Sequence, residues 1–188
     1  EIARTTLPEA LVKQVAWSPD GRTLYAGEQS PDATVHAFDP ATLKSKWTFR
    51  AADHVGSSPL PEGEDRYAIY DLPGIYTLKI LGNGDVLAVA VHGWNDGSGT
   101  RRNQSQVFRF QPTGEVVGKW PEQASSTLLL HSVVSTHDDG TERLLMNTSR
   151  SADGPPPPDL PNGGLAVLSL DTMALESVAT VKPLEPWF

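Results

Sequence analysis

The sequence contains no cysteine. Disulfides and thiolate chemistry are therefore excluded, and the compartment is left open, with the cytoplasm slightly favoured over a periplasmic or secreted setting. Basic residues are also in deficit, since 15 lysines and arginines face 23 aspartates and glutamates, which gives a formal net charge of −8. This balance argues against nucleic acid and anionic membranes as partners. No apolar run approaches the roughly 18 residues of a transmembrane helix, so we expect no membrane partner.

Local motifs of catalysis and metal binding are missing as well. The sequence holds no HxH or HExxH pair, no acidic calcium-binding loop, no GxSxG elbow and no phosphate-binding loop. We therefore name no catalytic residue and no metal ligand, and we predict no cofactor.

Turn-forming residues are plentiful, because the chain has 16 glycines and 16 prolines. They divide residues 15–47 into short β-forming runs that are separated by tight turns, the first of which is SPDG at residues 18–21. Proline presets the backbone of such a turn, and glycine tolerates the positive φ that it needs. The runs cover residues 15–17, 23–26, 34–38 and 44–49. Four short strands joined in this way predict one antiparallel sheet.

The same order of strands and turns returns twice. The first tight turn of the three units reads SPDG, GNGD and DDG in chain order. The units cover approximately residues 15–49, 75–121 and 127–182, and residues 1–8 resemble the outer strand of a preceding unit. The sequence thus predicts one all-β domain over residues 1–188, with three four-stranded antiparallel sheets and one extra outer strand.

The segments SPDG-x-TLYAG and TVHAFDPAT resemble the WD-repeat and YVTN-type β-propeller families. A divergent or YVTN-like propeller fits better than a strict WD repeat, because Phe38-Asp39 stands where Trp-Asp would be. The resemblance implies four-stranded blades arranged around a channel. Three blades do not close such a ring. We therefore expect a larger ring of six to eight blades, completed by the same longer chain or by another subunit.

The long connections of the chain all belong to one end of the predicted blades. In an antiparallel blade, the connection between its second and third strands and the connection to the next blade lie at the same end. The long segments at residues 50–73, 92–105 and 148–163 are of these two kinds. Long loops on a rigid scaffold often carry function, so we expect a binding face there, although length alone is also tolerated.

The candidate binding residues lie in the first two of these segments. They are His54, His92, Trp94, Asn95, Asp96, Arg101 and Arg102. Trp94 beside two arginines is a plausible contact for an acidic or apolar partner, since aromatic and arginine side chains dominate binding hot spots. The alternative is that Trp94 packs the loop onto the protein. Trp17, by contrast, lies on an inner strand and is predicted to belong to the core.

Two functions from different classes remain. The favoured one is a non-catalytic propeller module, a protein-interaction or sensor scaffold that binds a protein or peptide on the face with the long connections. The alternative is part of a propeller hydrolase, lactonase or oxidoreductase, with a divalent metal assisting a site at the mouth of the channel. The absence of a catalytic motif favours the first.

Overall fold

The computed structural model describes residues 4–7, 10–60, 68–150, 160 and 163–180. This part of the chain is nearly all β. Its two short helical segments are α1 (Ala52–Val55) and a 3-10 turn (Ala68–Asp71). Its strands are β1 (Leu11–Trp17), β2 (Leu24–Gln29), β3 (Thr34–Phe38), β4 (Ser45–Arg50), β5 (Gly74–Ile80), β6 (Val86–Asn95), β7 (Arg101–Phe110), β8 (Val116–Ser125), β9 (Thr127–Leu128), β10 (Ser132–Thr136), β11 (Glu142–Arg150), β12 (Gly164–Ser169) and β13 (Ala174–Thr180).

The strands form three antiparallel meanders of four. Blade 1 is β1 to β4, blade 2 is β5 to β8, and blade 3 is β10 to β13, with each strand paired to the next. A backbone bridge between Gln29 and Gly74 connects blade 1 to blade 2, and beside it the Ser30 amide donates to the Pro73 carbonyl at 3.1 Å. The predicted all-β fold with four-stranded antiparallel blades is confirmed.

Blade 2 is packed on both of its faces, and the sequence of β6 shows why. Its six residues 86–91 are all apolar, and successive side chains of a strand point to opposite faces. Val86, Ala88 and Ala90 belong to the core between blades 1 and 2. Leu87, Val89 and Val91 belong to the core between blades 2 and 3. The blades are therefore stacked face to face, as in a β-propeller.

The two cores differ in composition. The first is aromatic at its outer part, where Phe49 lies 4.9 Å from Phe108 and 4.8 Å from Phe110, measured between ring centroids. The second is aliphatic, and blade 3 and the segment leading to it supply Leu129, Leu144, Met146, Ala166 and Leu168 to it, all of them buried.

Polar contacts join the blades at the end opposite the long connections. Trp47 Nε1 of blade 1 donates a 2.9 Å hydrogen bond to the carbonyl of Pro112, in the last turn of blade 2. Gly114 closes this turn at φ 93°, and a Cβ there would lie 2.8 Å from the Trp47 ring. Arg109 of blade 2 pairs with Asp85 at 2.7 Å and donates to the carbonyl of Leu170 in blade 3 at 2.5 Å.

The outward faces of the stack expose apolar side chains. The first end face is the side of blade 1 that points away from blade 2, and it exposes Val15 (63%) and Trp17 (56%). The last end face is the corresponding side of blade 3, and it exposes Val133 (56%) and Leu165 (50%). Blade 2, which lies between the other two blades, buries the corresponding surfaces of its sheet.

The prediction that Trp17 belongs to the core is wrong. Trp17 pairs with Leu24 across the sheet, so the two side chains share a face. The next residue, Tyr25, points to the opposite face and joins the core toward blade 2. Trp17 therefore lies on the first end face. Trp17 does lie in the first strand of its blade, as predicted, but the strand pattern does not say which face of the sheet is covered.

Other strands differ in their bounds. The third unit, expected from residue 127, begins with the two separate strands β9 and β10 rather than one, because Leu129 turns into the core and its amide donates to Ser105 Oγ. Within the segment 1–8 expected to form an extra strand, residues 4–7 form none, and the rest lies outside the described residues. Most of the connection 148–163 and residues 181–182 of the third unit also lie outside them.

Candidate functional site

The predicted binding face is the end of the stack that carries the connections β2–β3, β4–β5, β6–β7 and β8–β10. We call it the loop end. Its most prominent feature is not a loop. The segment 92–105 was predicted as a long connection, but β6 continues to Asn95 and β7 begins at Arg101. The two strands remain paired up to Asn95 and Arg101.

This β6–β7 hairpin projects beyond the rest of blade 2. The neighbouring strands stop at the level of Val91 and Ser105, which pair with Gly74 and Ser125. Four further residue pairs join β6 only to β7, which corresponds to roughly 13 Å at about 3.3 Å per residue. Gly97 and Gly99, at φ 81° and 85°, form the tip. The long glycine-rich segment is therefore an ordered hairpin with a short turn.

His92 holds the base of the hairpin. It is only 2% exposed, and its Nδ1 donates to the carbonyl of Val55 at 3.0 Å. Its Nε2 lies 2.8 Å from Ser58 Oγ, and in the neutral form, with the proton on Nδ1, it accepts a hydrogen bond from that hydroxyl. Burial lowers the pKa of His92, although its backbone acceptors oppose this effect. Trp94 stacks on the imidazole, with ring centroids 4.4 Å apart.

A pH dependence of stability follows from this burial. The unfolded chain takes up a proton on His92 near pH 6.5, whereas the folded chain resists protonation because its pKa is lowered. The contribution of His92 to the free energy of unfolding is therefore fully present above about pH 6.5. It falls as the pH decreases toward the pKa of His92 in the folded state. One proton limits the slope to about 1.4 kcal/mol per pH unit.

Urea unfolding of the wild type and of His92→Asn between pH 7.5 and 5 checks this expectation. The variant should lose part of the decrease seen in the wild type, since asparagine does not titrate. Parallel curves for the two proteins would show that His92 has no such role.

The two adjacent arginines of the hairpin point to opposite faces, because successive side chains of a strand alternate. Arg102 lies opposite Trp94 and its Nε donates to Asp96 at 2.9 Å. Arg101 points to the other face, where its guanidinium pairs with Asp71 and donates to the Tyr70 carbonyl at 3.2 Å. Trp94 and Arg102 can therefore form one surface, whereas Arg101 belongs to another.

The tip of the hairpin is held by Asp96. Hydrogen bonds from the Ser98 hydroxyl and amide, together with the Arg102 guanidinium, lower the pKa of Asp96 to about 2. The Asp96 amide donates to the Thr100 carbonyl at 3.1 Å. Asn95 is exposed at this tip. The structure thus presents an exposed turn whose conformation is fixed by charge-assisted hydrogen bonds.

His54 lies on α1, in the connection between blades 1 and 2, and is exposed. Its imidazole stacks on Phe49 at 5.5 Å and makes an edge-to-face contact with Phe108 at 5.1 Å. These contacts are with the aromatic core, and His54 shares no contact with Trp94 or the two arginines among the described interactions. The sequence grouped these residues, but the structure places His54 apart.

The short β2–β3 connection is held by a buried carboxylate. Glu28 is 5% exposed and lies 2.9 Å from His36 Nε2, and it accepts hydrogen bonds from the Ser30 hydroxyl and the Thr34 amide. Burial alone would raise the pKa of Glu28, but the hydrogen bonds from His36, Ser30 and Thr34 hold it below its ordinary value. The arrangement satisfies the carboxylate internally and explains why this connection is tight.

A groove beside the hairpin was not predicted. It lies between blades 2 and 3 and has a volume of about 300 Å³. Its lining residues are Tyr70, Tyr76, Val91, Gly93, Arg101, Asn103, Leu128 and Leu130. They come from five separate segments, so no local pattern could have grouped them. The sequence offered one signal for such a groove, which is a pair of tyrosines. Tyr70 lies in the connection between β4 and β5, and Tyr76 lies in β5.

Within the residues that the structure describes, we find no group of three or more histidine, aspartate or glutamate side chains that could hold a metal ion. Nor does that part of the chain contain a helix long and apolar enough to cross a membrane.

Three stacked blades of four antiparallel strands define a fold of the β-propeller type. No family model matches the sequence, and no curated protein matches it. Solved structures of similar shape include an endo-arabinase from Bacteroides thetaiotaomicron, with 12% identity over 89% of this chain and 61% of that chain and a TM-score of 0.40. A GH43_1 enzyme from Xanthomonas citri complexed with xylotriose has 15% identity over 92% of this chain and 55% of that chain, with a TM-score of 0.42.

BamB from Moraxella catarrhalis is 19% identical over 97% of this chain and 53% of that chain, with a TM-score of 0.36. The chain therefore spans between about half and three fifths of the length of these structures. The propeller assignment rests on the strand topology and the face-to-face packing. At these TM-scores, the similarities carry nothing about activity or partners.

Proposed function

We propose that this chain is a non-catalytic propeller module that binds a protein or peptide partner with its loop end. The observation that carries the proposal is the projecting β6–β7 hairpin. It combines a half-buried Trp94, an exposed Asn95 and the ion pair of Asp96 with Arg102 on a fixed backbone. A rigid aromatic beside paired polar groups loses little conformational entropy on binding and is typical of recognition surfaces.

The ionisable groups near the hairpin also support recognition rather than proton transfer. Both ring nitrogens of His92 are engaged by Val55 and Ser58. The carboxylates of Asp71 and Asp96 are paired with arginines. General acid–base catalysis needs a group that is free to exchange a proton with substrate, and these groups already serve the structure.

Trp94→Ala tests the proposal. The substitution removes the largest side chain of the hairpin surface, so it should weaken partner binding by about 2 kcal/mol or more, a factor of ~30. The free energy of unfolding should fall by less than about 1 kcal/mol, because the side chain is only half-buried. Immobilised wild type and variant are compared for capture of a partner, and the affinity is then measured by titration with that partner.

A matched control is Asn83→Ala, which alters an exposed turn at the opposite end of blade 2 and should leave binding unchanged. If Trp94→Ala unfolds the protein while the folded fraction keeps its affinity, Trp94 is structural and the proposed surface is wrong. Loss of binding in both variants would equally refute a role for the loop end.

The alternative, a metal-assisted propeller enzyme, is distinguished by metal analysis of the purified protein. A stoichiometric divalent ion, bound by the described residues or by others, would favour the enzyme. We also propose that the module belongs to a divergent WD-repeat or YVTN-like propeller, on the strength of the SPDG-x-TLYAG segment.

Further propeller, covalent or in a separate subunit, is the second proposed partner. The first and last end faces expose Trp17 and Val133, each at 56%, on surfaces that the inner blade buries. The isolated chain should therefore associate or bind an apolar dye. A sharp monomer of about 20 kDa in sedimentation, with a cooperative melt and no dye binding, would contradict this expectation.

A further inference from the structure

The groove between blades 2 and 3 is built from two kinds of surface. Its apolar part consists of Val91, Leu128 and Leu130, with the rings of Tyr70 and Tyr76 beside them. Its polar part consists of Arg101 and Asn103, which β7 presents on the face away from Trp94. A volume of about 300 Å³ is at the lower end of ligand sites and suits one residue-sized group.

Gly93 allows the polar part to form. It lies opposite Asn103 across the hairpin. A Cβ at residue 93 would lie 2.9 Å from Arg101 Nη2 and 2.9 Å from Asn103 Oδ1. Because glycine leaves this space open, both polar side chains can lie across β6. Pairing with Asp71 and the Tyr70 carbonyl then fixes the direction of the guanidinium.

Among the described residues, the charge around the groove favours a monoanion. Lys13 Nζ lies 4.8 Å from the centroid of the Tyr76 ring, and Arg101 lines the groove, whereas Asp71 supplies one negative charge. These three groups leave one positive charge in excess on a protein whose formal net charge is −8. A carboxylate matches this excess, whereas a phosphate dianion would require more donors of positive charge.

The hydroxyl of Tyr76 adds a donor. It accepts a hydrogen bond from Gln29 Nε2 at 3.3 Å, and its own proton has no acceptor among the described residues. A carboxylate oxygen in the groove could accept this proton. Tyr76 is partly buried, so the bond would form in a site that is shielded from water.

We propose that the groove binds the carboxyl-terminal residue of a partner peptide, with an apolar side chain on Val91, Leu128 and Leu130 and the carboxylate toward Arg101 and Tyr76. This inference rests on the proposed function and specifies its partner. A ligand with only an apolar side chain would contact the apolar part of the groove and leave the polar part unused. A ligand with only a carboxylate would leave the apolar part in contact with water.

The test uses a capped tetrapeptide, N-acetyl-Gly-Gly-Gly-Leu, with a free carboxyl terminus. Binding to the full chain is followed by the amide chemical shifts of Tyr70, Tyr76 and Asn103 in NMR titrations. We expect saturable shifts for the free acid, with affinity at least ~10-fold lower for its carboxyl-terminal amide and for N-acetyl-Gly-Gly-Gly-Gly, since each lacks one of the two recognised groups.

Two variants locate the binding. Gly93→Ala should displace Arg101 and Asn103 and lower the affinity for the acid at least ~10-fold. Gly82→Ala is the control, because a Cβ there would meet Glu142 at an ordinary 3.6 Å and lies at the opposite end of the blade. Arg101→Gln should reduce the affinity for the acid to that for the amide. NMR spectra report in each case that the fold is retained.

Equal binding of acid and amide, unchanged binding to Gly93→Ala, or no shift at the groove residues would each overturn the inference. Equally tight binding of 4-methylpentanoate would overturn the peptide assignment in favour of a small free acid. Trp94→Ala should leave peptide affinity unchanged, because Trp94 lies on the other face of the hairpin. Peptide binding can therefore fail while partner capture remains, or the reverse, so the failures of the groove and of the proposed function are distinguishable.

Discussion

Replacing Phe108 by alanine should lower the free energy of unfolding by about 3–5 kcal/mol, the cost of removing a fully buried aromatic side chain. Phe108 is 0% exposed. Its ring lies 4.9 Å from Phe49 of blade 1 and 6.1 Å from Phe110 of its own strand, and it makes an edge-to-face contact with His54 on α1. The substitution would leave a cavity at the interface between the first two blades, where neighbours from three elements cannot all move inward.

Trp17→Ala is the matched comparison, since it removes a still larger aromatic group from the same pair of blades. Trp17 is 56% exposed, so the loss in the isolated chain should be less than about 1 kcal/mol. Urea unfolding at constant pH measures both variants. If Trp17→Ala proves as destabilising as Phe108→Ala at a concentration where the chain is monomeric, the exposed position of Trp17 is wrong.

Arg109→Met should lower the free energy of unfolding by about 3 kcal/mol, because it leaves a largely buried carboxylate without its partner. The side chains of Arg109 and Asp85 are 16% and 12% exposed, and their ion pair measures 2.7 Å. Arg109 also donates to the Leu170 carbonyl of blade 3. Methionine keeps most of the volume of arginine, so the expected loss comes from the ion pair and the contact between blades.

Arg22→Met controls for the loss of a positive charge. Arg22 is 85% exposed and lies 3.9 Å from Asp20, and such surface pairs contribute between 0 and about 1 kcal/mol. The double variant Arg109→Met with Asp85→Asn should recover part of the stability, since no charge then remains buried. Equal effects of Arg109→Met and Arg22→Met would show that the blades are not joined through Arg109.

The candidate site could be predicted only in part. The end of the blades was predictable, because strand order decides which connections share an end. The form of segment 92–105 was not, because glycine, asparagine and serine favour turns in isolation, and the pairing of Trp94 with Arg102 overrides that tendency. Once the segment forms two strands, Arg101 and Arg102 must point to opposite faces.

Most of the strand and turn pattern of this protein can be read from local sequence. Turns such as SPDG at residues 18–21 and GNGD at residues 82–85 act locally, through the backbone preferences of proline, glycine and asparagine, so they can be read without knowledge of the rest of the chain. The apolar run at residues 86–91 likewise indicates a strand.

The covered faces of the strands and the contacts between distant side chains follow instead from the packing of the blades. Trp17 and Trp47 each follow the pattern of a strand tryptophan, but one lies on an outward face and the other contacts blade 2. The groove unites Tyr70, Gly93 and Leu128 from separate segments. Such contacts depend on the packing of distant strands, and the period-2 pattern of a strand defines two faces without stating what lies against either.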